Sequence, residues 1–411
     1  MKDTLKISFA GLVLLLFMIT SICRLATSIY LPALPIIGDS LHLEESVLGL
    51  TLTVYFFGFS FFTLVAGPLS DAWGRRRVLL IGAAVFMFGS LVCATAQGGT
   101  ALLAGRLLQA IGACSIPVTS RALVRDAFED QQVITVIGWM GVLGAIVPSI
   151  APILGGAITE YIGWRYTFGF LAFTSFFILL TASWKLPETL PEEKRHPLTL
   201  PHIFKSFFTM LTHRGFLFAI IPVIFCFAIQ GLYFTCAPFV FIKQMQLTPT
   251  QFGLTNLVLV GSLMAGRILC PILTKRLSSQ RAYAFCGGIA LIAGVGFFTL
   301  FSIRTLHLWQ IFIPAGMFGL SFGTMVPIGV KDALTYFKHQ SGAASALYGS
   351  LTRGASGVFS AIAGVGMSMD IEPVHVLAGI ASFCCLMITL TTMAAFMKKN
   401  KLVPESSAGE N

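Results

Sequence analysis

Twelve apolar runs, each roughly 20 to 30 residues long, divide the chain: near 7–37, 46–69, 77–97, 100–121, 132–158, 163–185, 214–242, 250–273, 282–303, 308–331, 340–367 and 374–397. A bilayer core about 30 Å thick takes about 20 apolar residues per helical crossing. Inside it every backbone amide must be paired within its own helix or in a closed barrel. The runs are too long, and too continuously apolar, for the roughly 10-residue alternating strands of a barrel. They predict an all-α membrane protein of 12 transmembrane helices. Composition excludes a water-soluble fold: 56% of the 411 residues are apolar and 11% are charged, less than half the roughly 25% charged residues of a soluble domain. The first run is expected to be a span rather than a cleaved signal, because it is too long, Arg24 interrupts it and no small-x-small site follows.

Lys and Arg flanking membrane spans stay on the cytoplasmic side. With the N-terminus there, twenty of the 27 cations share that side. Arg165, Lys243 and Arg304 lie opposite, and Arg24, Arg106, Arg267 and Arg353 fall within spans. A bacterial-type inner-membrane protein with both termini in the cytoplasm is expected. This orientation accounts for the net charge of +10 without a nucleic-acid partner. The polar, proline-bearing stretch from Pro187 to His213 separates six spans from six. The expected organisation is a six-helix bundle over 1–186, an exposed cytoplasmic linker over 187–213, a second bundle over 214–397 and a polar tail over 398–411. All nine cysteines lie inside predicted spans without metal-ligand spacing, so no disulfide, metal or cofactor is expected.

Three stretches carry more specific chemistry. The first is Gly67-Pro-Leu-Ser-Asp71-Ala-Trp-Gly74-Arg75-Arg76-Arg77, which sets one acid and three bases in a tight turn between the second and third spans. Gly74 supplies the turn's φ freedom and Asp71 can pair with a nearby base. The second, in span 4, is Gly105-Arg106-Leu-Leu-Gln109-Ala-Ile-Gly112. A mid-helix Arg costs about 2.5–3.5 kcal/mol to insert, so Arg106 should face a partner or a wet cavity. The third, in span 5, sets Gly141, Gly144, Pro148, Pro152, Gly155 and Gly156 along one helix, where small residues admit close helix approach and prolines bend the axis.

These stretches resemble motifs of the major facilitator superfamily. The turn is similar to its G-x-L-s-D-x-x-G-R-R latch, span 4 to its R-x-x-Q-G motif with a departure at Ala110, and span 5 to the antiporter motif of the 12-span drug:proton antiporter branch. Tyr30-Leu-Pro-Ala-Leu-Pro35, Ala237-Pro-Phe-Val240 and Gly342-Ala-Ala-Ser-Ala346 resemble the bicyclomycin/chloramphenicol-resistance type. The resemblance implies two six-helix bundles rocking about a central cavity, with Gly67, Asp71, Gly74, Arg75 and Arg76 as the conformational latch. Arg106 and the span-5 residues would then serve as coupling or structural elements. The implied partners are a small-molecule substrate, membrane lipid and protons, handled by a monomer.

Exporters of this branch commonly carry an acid in span 1 a few residues ahead of Y-L-P; here Ser28 stands at that position. All seventeen carboxylates fall in loops, tails or span ends, whereas Arg24 and Arg353 each lie twelve or more residues from both ends of their spans. With no membrane-embedded acid, the natural partner of these guanidinium groups is an anion brought by the substrate, such as a carboxylate siderophore or an organic acid. Tyr30, Gln109, Gln230, Tyr233, Asn256 and Tyr348 are expected to line the substrate site with Arg24 and Arg353, beside Phe227 and Phe234. The expected function is therefore a secondary active exporter of an anionic molecule. A multidrug:proton antiporter and an importer of an anionic nutrient or siderophore are the competing readings. No H-E-x-x-H, G-x-S-x-G or Walker-type motif points to an enzyme or to ATP use. All seven histidines sit in loops or near span ends, so coupling could draw on protons through Asp71 or on membrane potential.

Overall fold

A computed structural model describes residues 9–400, apart from 129, 196–199, 303–304 and 338–339. The described residues form fourteen α-helices: α1 (Phe9–Ser28), α2 (Leu34–Leu41), α3 (Glu45–Trp73), α4 (Arg75–Ala94), α5 (Gly99–Ala127), α6 (Asp130–Tyr161), α7 (Arg165–Lys185), α8 (Leu200–Thr212), α9 (Arg214–Pro238), α10 (Pro249–Arg276), α11 (Ser279–Thr299), α12 (Leu308–Thr335), α13 (Ser341–Ser368) and α14 (Pro373–Asn400). The α1–α2 pair is the first span, α3 to α7 are the next five, and α9 to α14 are the last six. Ten of these twelve are long and apolar enough to cross a membrane. In α6 the described stretch Ile146–Tyr161 is apolar but shorter. α13 dilutes its apolar residues with serines turned toward other helices: Ser356 donates to the Phe227 carbonyl of α9, and Ser360 pairs with Thr235.

Two local departures from the sequence pattern have plain causes. The first run does not form one helix. Pro32 and Pro35 lack the N–H that would continue it, and a 3-10 turn at Leu31–Ala33 separates α1 from α2. The linker, expected to be exposed throughout, contains α8. Phe207 and Met210, one turn apart on that helix, are buried with Phe216, Ala344 and Leu347 of α9 and α13. Flanking polar residues mask this short amphipathic stretch in the sequence.

Within the first half α4 packs on α5 and α7, and α3 on α5; within the second, α11 packs on α14 and α10 on α12. The halves meet along two seams, α3 with α13 and α6 with α10. Small residues make both seams close. On the first, Gly49 approaches Gly364, Thr53 Oγ1 donates to Ser360 Oγ (3.2 Å) and Ser60 Oγ donates to the Ser350 carbonyl (2.7 Å). On the second, a Cβ on Gly156 would strike the Pro249 carbonyl, and one on Gly253 would strike Pro152. That contact lies at the ends of α6 and α10 remote from the chain termini. It closes the molecule on the face opposite the termini.

Candidate functional site

A cavity of about 550 Å³ lies between the halves. Arg121, Val330 and Ser345 on its wall stand within about two helical turns of the termini face, so it reaches that face while the α6–α10 contact seals the other. Four arginines line it, Arg24 on α1, Arg121 on α5, Arg267 on α10 and Arg353 on α13, and no Asp or Glu does so among the described residues. Arg353 projects between the halves. Its guanidinium carbon is 5.8 Å from the ring centre of Phe59 on α3 and 5.6 Å from that of Phe227 on α9. Among the described residues no carboxylate pairs with it. Phe227 stacks edge-on against Phe322 (5.1 Å), which stacks in turn on Phe318 (5.6 Å), so an aromatic wall continues from the charge.

Of the residues expected at the substrate site, Arg24, Arg353, Gln230, Tyr233, Asn256 and Tyr348 do line the cavity, with Phe227 and Phe234. Tyr30 and Gln109 do not. They belong to a fully buried cluster around Arg106, whose guanidinium lies 4.3 Å from the ring centre of Tyr30 and 4.2 Å from that of Tyr55, a residue that also borders the cavity. Arg106 Nη1 donates to Gln109 Oε1 (2.6 Å) and to the Ala26 carbonyl (3.1 Å), and Gln109 Nε2 donates to Ser90 Oγ (2.8 Å). The two tyrosine faces offset part of the cost of burying this charge. Tyr30 is fully buried, its hydroxyl in contact with Thr51 Oγ1 (3.2 Å). Sequence reasoning missed Arg121 and Arg267 as wall residues: Arg121 was counted with the cations that flank the spans, and Arg267, though within its span, lies close enough to Lys275 to snorkel toward the helix end. Pro117, Val118 and Arg121, spaced i, i+1 and i+4 on one helix face, all line the cavity, a signal that could have found Arg121.

At the termini face the α3–α4 turn is held by a charged cluster. Gly74 has φ of 96°, a left-handed conformation that a β-carbon would strain. Arg75 Nη1 donates to Asp71 and to Ser70 Oγ (3.1 Å), while its Nε donates to Asp126 Oδ2 of α5 (3.1 Å). The Arg75 backbone N–H donates to Glu188 Oε1 (2.9 Å), tying the start of the linker to the N-terminus of α4. Arg76 donates to the Ser183 carbonyl at the end of α7. Gly67 lies one turn before Asp71 on the same face of α3, where a Cβ would meet Val118 at 3.6 Å. Asp126 and Glu188 are additions that no sequence spacing signals, because both are remote in the chain.

The opposite face carries a different clasp. Lys243, in the π-helical turn Phe239–Gln244 after α9, reaches Asp39 of α2 (3.4 Å) and Glu45 of α3 (3.6 Å). Glu160 of α6 accepts from the Thr250 N–H at the start of α10 (3.1 Å). Gly155 packs so tightly on the Ile29 carbonyl that no β-carbon fits. Pro148 and Pro152 line the cavity; Gly141 and Gly144 lie outside the described side chains.

The sequence was compared with known proteins. It is 31% identical to the MFS-type transporter YdgK of Bacillus subtilis (strain 168) over 374 residues, 89% of this chain and 90% of that one. It is 29% identical to a chloramphenicol resistance protein of Pseudomonas aeruginosa over 353 residues, 84% and 81% of the two chains. Among solved structures, the peptide transporter POT in complex with sulfate shares the fold with a TM-score of 0.76, 15% identity and 97% coverage of both chains. Residues 16–361 match the family profile described as Major Facilitator Superfamily. With twelve spanning elements in two packed halves and a cavity between them, this chain belongs to the major facilitator superfamily and is a membrane transporter, not an enzyme.

Proposed function

We propose that the protein exports organic anions from the cytoplasm. The observation that carries this reading is the cavity wall, which presents four guanidinium groups and no carboxylate among the described residues. A cationic drug would meet only repulsion there, whereas a carboxylate can take paired N–H donors from Arg353. Direction follows from two further arguments. The excess of cations beside the termini supports a cytoplasmic placement of that face, on which the cavity stands open to cytoplasmic substrate. An interior-negative membrane then drives an anion outward by about 2.3 kcal/mol per charge per 100 mV. Export of a monoanion thus requires no proton carrier in the cavity, in keeping with a wall that bears no acid.

The relative named for chloramphenicol resistance favours a second reading, a drug:proton antiporter. Everted vesicles separate the two. Uptake of radiolabelled 2-naphthoate should rise when a potassium–valinomycin potential makes the vesicle interior positive, and should persist when nigericin collapses the pH gradient. Uptake that follows the pH gradient and ignores the potential would overturn the potential-driven reading in favour of proton antiport.

A further inference from the structure

Two residues of the cavity wall, Gln230 and Tyr348, each carry a polar atom that the protein itself covers and leaves without a partner. Gln230 Oε1 and the Tyr348 hydroxyl are both buried and make no hydrogen bond among the described residues. Two polar neighbours in the same wall are committed: Asn256 Nδ2 donates to the Phe252 carbonyl, and Thr352 Oγ1 to the Tyr348 carbonyl. A buried acceptor left unpaired costs about 1–3 kcal/mol, so two of them on a ligand-sized cavity mark places where a ligand supplies the missing bond.

Their position relative to Arg353 defines a ligand shape. Gln230 follows Phe227 by three residues on α9, and Phe227 is the ring over which the Arg353 guanidinium lies. Gln230 therefore stands about 4.5 Å farther along the axis, away from the termini face, on the same helical face. Tyr348 precedes Arg353 by five residues on α13, about 7.5 Å nearer the termini face. The charge thus lies between two neutral hydrogen-bonding groups. The surface joining them is aromatic, built from Phe59, Phe227 and Phe322. A compact polycarboxylate would satisfy the charge but leave this wall bare and both polar atoms unpaired.

Resting on the organic-anion reading above, we propose that the substrates are flat aryl monocarboxylates carrying a hydroxyl or N–H on the ring remote from the acid. The carboxylate binds Arg353, the rings lie against Phe59 and Phe227, and the remote donor is accepted by Gln230 Oε1, with the Tyr348 hydroxyl serving the opposite orientation. A site built to hydrogen-bond a substrate hydroxyl rejects the analogue that lacks it, because its own buried group then stays unpaired.

Calorimetric binding to the purified full-length protein in nanodiscs tests this with three probes: 6-hydroxy-2-naphthoate, 2-naphthoate and 6-hydroxy-2-naphthamide. The hydroxylated acid should bind about tenfold tighter than 2-naphthoate. Gln230→Met should collapse that ratio to less than about threefold, and Tyr348→Phe, which keeps the ring, should change it less than Gln230→Met does. The ratio is read within one variant, so partial loss of folded protein does not alter it. Equal binding of the two acids by the unmodified protein overturns this inference while leaving the anion reading intact. Equal binding of the amide and the hydroxylated acid overturns the anion reading itself.

Discussion

Arg106 and Arg353 are the same residue type, each set within a transmembrane helix, yet the structure gives them opposite surroundings. Arg106 is fully buried, held between Tyr30 and Tyr55, and bonded to Gln109 and the Ala26 carbonyl. Arg353 lies at the junction of the two halves, flanked by one phenylalanine from each, with the cavity before it. The first is committed to the protein and the second is available to a ligand. A guanidinium within a membrane is therefore not by itself a substrate site. Arg106 keeps Nε and Nη2 without partners among the described residues, so it is the two tyrosine rings over its faces, with the bonds of Nη1, that commit it. What decides is whether the protein has already covered the guanidinium's faces.

The largest effect that bears on this contrast is on stability. Arg106→Ala removes the donor shared by Gln109 and the Ala26 carbonyl and opens a gap between two tyrosine rings. It should cost about 3 kcal/mol or more, read as a marked fall in melting temperature of the purified protein. A variant that melts like the parent would remove Arg106 from the structural role. Arg353→Gln should do the reverse, weakening 2-naphthoate binding about thirtyfold, as expected when one partner of a buried charge pair is truncated, with little change in melting.

Two smaller predictions carry the same contrast to the ends of the seam between the halves, one zipped and one open. Gly156→Val places side-chain atoms on the Pro249 carbonyl and so opposes closure of the face remote from the termini. Vesicle transport of 2-naphthoate should fall about tenfold, while the protein still inserts in the membrane; unchanged transport would show that this contact is not part of the cycle. Lys243→Ala removes a clasp whose groups are half-exposed, Lys243 at 38% and Asp39 at 71% of their side-chain area. Exposed pairs contribute about 0–1 kcal/mol, so transport rates should change by less than about fivefold. A larger change would mean the clasp is more deeply buried during transport than in this state.

Much of the architecture was legible because membrane helices announce themselves through length and hydropathy. Twelve runs became twelve spanning elements, and the Gly74 turn is where its sequence placed it. Departures arose where local chemistry competes with that signal. Pro32 and Pro35 break the first span, and α8 hides two buried side chains in a polar stretch. The site was harder to read. Sequence alone separates Arg24 and Arg353 from the remaining arginines by depth, but depth does not say which face of a helix meets the cavity. Tyr30 and Gln109 were therefore grouped with Tyr233 and Asn256, although Arg106 draws the first pair into the interior of one half. Arg121 was counted with the flanking cations, and Arg267 was set within its span but not at the site, for the converse reason. Nothing in the chain order signals Asp126 or Glu188 as partners of Arg75, because they come from the ends of other helices.

The central claim is that a cavity walled by guanidinium groups selects negative charge. Binding of three isosteric probes, 2-naphthoate, 2-naphthamide and 2-naphthylmethylammonium, to the purified protein and to its Arg353→Gln variant tests it most directly. The account predicts affinity in the order anion, neutral, cation, with the anion at least about tenfold ahead and that lead lost in the variant. Cation binding equal to or tighter than the anion's, or an anion preference untouched by Arg353→Gln, would contradict it.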